Sequence, residues 1–301
     1  MRTLPPSFLL LLAASVTACH RDIPSLEPRF AVEPPLRPQF VPPEDSLLTE
    51  TVKSSLRHSG SPGSQDAEMT TVSRFSPEDR AWLLTQRVTQ SRHTRDGAEV
   101  RSLVDDVLQR APLRLRLAAD GTYVRLAEPD AVLAAVRALP STGLDVTPLE
   151  RFFAPDVLEG RTREEWEVKY GGLYGRSLVP GQRGYAVGRL SLGGGEVTYL
   201  LERTFTGTQL TEHGEALVFS LRCLAAPGDT SPQAVRDTLR AAGDPEPTPG
   251  VECGGEQLLG KGRFLPVRRE FTLRAELGGE TWTWTTQSTL ASLRALEEET
   301  R

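Results

Sequence analysis

The side chains able to do chemistry are few and scattered along the chain. Four histidines, His20, His58, His93 and His213, lie far apart, with none within four residues of another. A metal centre needs His, Cys, Asp or Glu clustered at helical or loop spacing, so these four read as solvated surface positions. The Gly-x-Ser-x-Gly elbow of serine hydrolases is absent, although a Ser-His-Asp arrangement can be assembled without it. Ser59 and Ser61 flank His58 only within a Gly/Ser/Pro run, which reads as a turn. Neighbouring carboxylates occur at Asp105-Asp106, Glu164-Glu165 and Glu297-Glu298-Glu299. Adjacent positions on a helix diverge by about 100°, so such pairs do not converge on one substrate. Glu164 and Glu165 instead suit a helix N-terminus through its dipole. Gly254-Gly255 and Gly260-x-Gly262 lack the lysine-then-helix start of a phosphate cradle. Trp282 and Trp284 could stack on sugars, but alternation within a strand favours packing on a core or a groove wall. No catalytic residue, metal or cofactor is assigned, and the chain is not read as an enzyme.

Cys19 is the reactive position with the clearest surroundings. Arg2 supplies a positive start, Phe8 to Ala14 a short apolar stretch, and Val16-Thr17-Ala18 small residues immediately before the thiol. The apolar stretch is too short for a membrane-spanning helix, which takes about 20 apolar residues. Residues 1–19 resemble the bacterial lipoprotein signal. That resemblance implies diacylglycerol transfer to Cys19, cleavage before it and acylation of the new amine. Two or three acyl chains hold a protein on a bilayer, because each buried CH₂ contributes about 0.8 kcal/mol. His20, not aspartate, follows the cysteine; by the rule of enteric-type lipoproteins the destination is the outer membrane of the cell envelope. Ordinary secretory cleavage would also suit the small residues but leaves Cys19 with no role.

A run bearing Pro24, Pro28, Pro34, Pro35, Pro38, Pro42 and Pro43 follows. Proline fixes φ and lacks an N–H, which disfavours a helix or central strand. Residues 19–45 therefore read as a semi-rigid tether rising about 3.1 Å per residue. The alternative is a loop packed back on the domain through Phe30, Val32 and Phe40. The signal is assigned to 1–18 and a globular domain to 46–301, with 46–128 and 184–301 as candidate β subunits. In the oxidising compartment that export implies, Cys223 and Cys253 read as a disulfide.

The composition, 38% apolar and 25% charged with a net charge of −5, is that of an ordinary globular protein and does not suggest nucleic acid. The domain's elements are written in its periodicities. Leu113, Leu115 and Leu117 alternate with Arg114 and Arg116, and Asp120-Gly121 turns the chain into Tyr123–Leu126. Val197, Tyr199, Leu201 and Phe205 form a second apolar row, after Arg189–Leu192 and three glycines. Leu217, Phe219, Leu221 and Cys223 form a third. Val267, Phe271, Leu273, Ala275 and Leu277 form a fourth, turned by Gly278-Gly279 into Trp282-Thr283-Trp284. Segments 47–58, 66–75 and 80–95 are weaker strand candidates. Alternation on one face means antiparallel sheet with one wet side. Strands this long in series predict strong curvature.

Helices are predicted at 99–109, from Pro129 to Leu139, from a Thr162-x-x-Glu165 capping box to Gly171, and from Ser231-Pro232 to Gly243. The fold class is thus α+β: a curved antiparallel sheet, open or half-barrel-like, with several short helices packed on it. The order of strand, Asp120-Gly121, strand, proline-started helix, Trp166-bearing segment and hairpins is similar to that of exported bacterial lipoproteins with half-barrel sheets. The functional expectation is non-catalytic binding of an apolar ligand or a partner protein at the membrane, with an envelope scaffold as the alternative. A pocket gathering His213 or His93 with a carboxylate and a serine would instead support a hydrolase.

Overall fold

The clearest alternation in the sequence becomes the best-defined hairpin of the computed structural model, which describes residues 35–61, 63–140, 145–192, 195–226, 228, 234 and 250–296. Strand β11 (Pro266–Leu277) buries Val267, Phe271, Leu273 and Ala275 on one face and sends Glu270, Thr272, Arg274 and Glu276 outward. Gly278 and Gly279 both take positive φ, which glycine adopts without a Cβ penalty. They pass the chain into β12 (Glu280–Ala295), where Leu273 stands opposite Trp284. The same logic builds β7 (Arg183–Leu192), β8 (Gly195–Thr211), β9 (Gly214–Leu224) and β10 (Val251–Gly260). The weaker candidates are strands too: β1 (Ser46–His58), β2 (Ser64–Glu78) and β3 (Ala81–Arg95), followed by β4 (Ala98–Val100), β5 (Leu113–Ala118) and β6 (Tyr123–Ala127).

All twelve strands belong to one antiparallel sheet ordered β6-β5-β3-β2-β1-β12-β11-β10-β9-β8-β7, with β4 paired to β3 off that path. The candidate subunits 46–128 and 184–301 are therefore joined within one sheet. Strand β1 pairs with β12 along its length, from Ser46 opposite Ala295 to His58 opposite Trp282. Four short helices complete the described residues: α1 (Leu103–Arg110), α2 (Pro129–Arg137), α3 (Thr147–Phe152) and α4 (Pro155–Tyr170). The fold is mostly β, with less helix than an α+β reading implies. The helix expected from Ser231 lies outside the described residues, as do the signal segment, Cys19 and the tether up to Pro34.

Helix α4 packs against both β6 and β7, the two ends of the strand path. Eleven strands laid flat at about 4.8 Å spacing would hold those ends almost 50 Å apart. A helix about 10 Å across and about 24 Å long cannot bridge that gap. The sheet must curl until its edges meet α4, which lies in the seam. The helix begins at Pro155, a residue suited to the first turn. This corrects the capping box: Thr162 lies inside α4, where its hydroxyl donates to the Leu158 carbonyl at 2.7 Å. Glu164 and Glu165 consequently sit mid-helix. Gly171 does end it.

The closed end of the curl is filled by aromatic rings. Phe40 lies 5.0 to 6.2 Å, centroid to centroid, from Phe75, Trp166, Tyr174 and Phe264. Its ring also lies over Gly121, whose φ is +81° and where an added Cβ would come within 2.6 Å of the phenyl. The segment read as the end of a tether is thus, from Pro35 onward, part of the domain. Leu36 exchanges backbone hydrogen bonds with Leu178, Gly175 N–H donates to the Pro38 carbonyl, and Phe264 N–H to that of Val41. Proline cannot donate, but a segment that mostly accepts loses little by that.

Candidate ligand-binding lumen

Above the aromatic plug, the inward row of each strand changes character. On β1, Leu48 is followed inward by Glu50, Val52, Ser54, Leu56 and His58, and their β12 partners include Ser288, Thr286, Trp284 and Trp282. Opposite stand the buried apolar rows of β8, β9 and β11. The lumen therefore has a hydroxyl-bearing wall and an apolar wall. A cavity of about 380 Å³ opens between them, lined by Ser54, His93 and Trp284 of the β1–β3 and β12 wall, by Leu190 and Leu192 of β7, and by charged Asp66, Arg95 and Arg101. An adjoining hollow of about 270 Å³ shares Leu56 with it and reaches Trp282 at the rim. Below, the plug leaves a void of only about 20 Å³ beside Glu50 and Tyr170. The concave face is packed at one end and open at the other.

Charged groups mark the boundary. Arg203 interrupts the apolar row of β8 and is fully buried. It donates to the carbonyls of Val168 and Gly171, while Gln257 donates to that of Lys169 at 2.8 Å. The sheet thus satisfies the carbonyl end of α4, where a cation also suits the helix dipole. Burial, with Arg269 nearby, lowers the Arg203 pKa to about 10. From α4, Lys169 pairs with Glu165 at 2.7 Å. Burial opposes the charge on Lys169, but Glu165 and Glu50 outweigh it and raise its pKa, while Lys169 holds Glu165 low. Burial pushes the Glu50 carboxyl up. Glu165 feels the charge of Arg269, and 67% of its side chain remains accessible.

Around the mouth, the His58 ring stacks on Trp282 at 4.5 Å and 17°, and its Nδ1 lies 3.1 Å from Glu280. Trp284 meets Phe271 edge-on. Both tryptophans pack on the groove wall, as their alternation predicts. Cys223, on β9, and Cys253, on β10, form a disulfide within the apolar wall, packed with Leu221 and Leu273. Broader troughs of about 930 and 690 Å³ lie on the outer face. The second is crossed by the Lys53–Glu68 pair at 3.3 Å and also carries Asp66, Arg92 and Glu270.

The candidate chemistry is gathered only in part: His93 lines the 380 Å³ cavity with Ser54 and Ser102, whereas His213 lies elsewhere. His93 Nε2 lies 2.5 Å from Asp105 at the cavity edge, while Ser102 is occupied as the α1 N-cap, accepting from Asp105 N–H. No serine hydroxyl of the described residues hydrogen-bonds His93. His213 lies 3.2 Å from the Leu290 carbonyl, on another element. Asp106 turns away from Asp105 to Arg101, and Glu164 from Glu165 to Arg189. Ser59 and Ser61 accept backbone N–H bonds in the β1–β2 turn region. No group of three or more metal-ligating side chains occurs among the described residues.

No protein-family model and no curated protein matches the chain. Among solved structures it is similar to lipovitellin, in a structure concerned with lipid–protein interactions, at 10% identity and a TM-score of 0.47. That match covers 86% of this chain and 26% of lipovitellin, so the chain spans about a quarter of that protein. It is also similar to a putative exported protein with a YmcC-like fold from Bacteroides fragilis, at 10% identity and a TM-score of 0.32, covering 86% and 99% of the two chains. A DUF1329 family protein from Desulfovibrio piger follows at 10% identity and 0.23, covering 84% and 86%.

Sequence reasoning passed over the boundary charges, although a signal existed. The apolar rows at Val197–Phe205 and Val267–Leu277 each skip one inward position, Arg203 and Arg269. A charge interrupting a buried row is costly unless something engages it. Glu50 and Lys169 carried no such mark, because their partners are distant in sequence.

Proposed function

We propose that this protein is an exported lipoprotein, held on the outer membrane through Cys19, whose curled sheet binds an apolar or amphipathic ligand without catalysis. The observation that carries the reading is the split inner face: aromatic packing closes one end, and a two-sided cavity bordered by Leu56, Leu190, Leu192 and Trp284 opens at the other. Ligand sites are commonly concave, largely apolar and furnished with a few placed polar groups. His93 lines that cavity with Ser54 and Ser102 and lies 2.5 Å from Asp105, but no serine hydroxyl among the described residues hydrogen-bonds its ring, and this lack of a nucleophile–base contact supports binding over hydrolysis.

Native mass spectrometry of the protein taken from its own membranes tests the ligand. The expected result is co-purifying lipid, together with quenching of Trp282 and Trp284 fluorescence by brominated acyl chains. Absence of both overturns the lumen as a binding site. The anchor is tested separately by labelling with a palmitate analogue. A labelled wild type and an unlabelled, membrane-free Cys19→Ala chain are expected; a Cys19→Ala chain that still sediments with membranes overturns it.

A further inference from the structure

Arg269 stands on the inward row of β11 between Val267 and Phe271, both buried. The residue is only 9% exposed, its Nε is buried without a hydrogen bond, and it has no ion pair among the described residues. A guanidinium so placed is costly unless a negative group meets it. The carboxylates near it, Glu165 and Glu50, act on it by charge without an ion pair among the described residues. Glu165 is committed to Lys169. Arg203, the other inward arginine, is engaged by the carbonyls of α4 and adds a second positive charge. Glu50 and the Tyr170 and Tyr199 phenols complete the surroundings, without bonding the guanidinium.

A chain of ring contacts, beginning with a cation–π contact, runs from the guanidinium to a residue that borders the cavity. The guanidinium lies 5.1 Å from the Phe271 ring, Phe271 lies 5.9 Å from Trp284, and Trp284 borders the cavity with Leu190 and Leu192. We infer that Arg269 seats the anionic group of a bound amphiphile, a phosphate or a carboxylate, while the acyl chain runs up past Phe271 and Trp284. This rests on the proposed lumen function and adds its ligand class. Arginine's planar fork matches both anions, whereas a neutral headgroup would leave the charge unmet.

Binding of palmitate, lysophosphatidic acid and monopalmitoylglycerol to the purified protein tests it. For the wild type, at least one of the two anions is expected to bind about tenfold or more tightly than the glyceride, the equivalent of ~1.4 kcal/mol. Which of them gains distinguishes carboxylate from phosphate as the source. Arg269→Gln is expected to remove that preference and leave glyceride binding unchanged, with a melting temperature no lower than wild type. Should that variant fail to fold, Arg269→Lys is expected to retain part of the preference. Equal wild-type binding of all three ligands, or a preference that survives Arg269→Gln, overturns the assignment while leaving the lumen reading intact. No binding of any ligand overturns both.

Discussion

The indole N–H of Trp166, on α4, donates at 2.9 Å to the carbonyl of Gly121, in the turn between β5 and β6. One bond thereby ties the helix in the seam to the hairpin that ends the strand path. Trp166→Phe keeps an aromatic ring in the plug but leaves that buried carbonyl unpaired, at a cost of about 1–3 kcal/mol. Equilibrium denaturation in guanidinium should show a lower midpoint. A midpoint equal to wild type would mean that this hydrogen bond contributes nothing to holding the helix.

The proline-rich segment divides at Pro35. A chain begun at Pro35 is expected to melt like the longer protein, whereas one begun at Ser46 loses Leu36 and Phe40 and melts well below it. Phe40→Ala alone should cost about 3–5 kcal/mol, the usual range for a large aromatic removed from a filled core. Thermal unfolding of the three chains decides the matter, and equal melting temperatures would return residues 35–45 to the tether.

Cys223 and Cys253 close a loop spanning 30 residues between two adjacent strands. In the chain-entropy account such a loop stabilises by roughly 3–4 kcal/mol, through restriction of the unfolded chain. The doubly substituted Cys223→Ser, Cys253→Ser chain should unfold at correspondingly lower denaturant. If oxidised and doubly substituted chains unfold together, the bond contributes nothing.

Glu50 gives a dependence on pH whose sign follows from its raised pKa. The folded protein holds the proton more tightly than the unfolded chain does. The favourable contribution is therefore complete below pH 4.5, the unfolded value, and is lost as pH rises through the elevated folded value. Glu50→Gln should stabilise the protein at neutral pH and lose that advantage toward pH 4. Unfolding midpoints measured across this range give the answer, and an advantage that grows in acid would contradict it.

Legibility differed by element. Strands β8, β9 and β11 were readable because alternation over six or more residues is a local property, and the turns at Asp120-Gly121 and Gly278-Gly279 carry their own backbone chemistry. Strands β1 to β3 were harder, since both of their faces carry polar side chains. Helix α4 was misplaced at its start. Its buried residues, Leu158, Thr162, Trp166 and Val168, leave no clean stripe, because the helix touches both edges of the sheet.

By itself the sequence determined the antiparallel strands, their turns and the pairing expected of Cys223 and Cys253, while the reading of Cys19 lies outside the described residues. Only the tertiary structure decided that one sheet joins both halves, that Phe40 belongs to the core, and that Arg203 bonds helix carbonyls while Arg269 has no ion pair among the described residues. The reason is range. Side-chain alternation and turn preference act between near neighbours, whereas these three outcomes depend on which distant strands and helices the curl brings together.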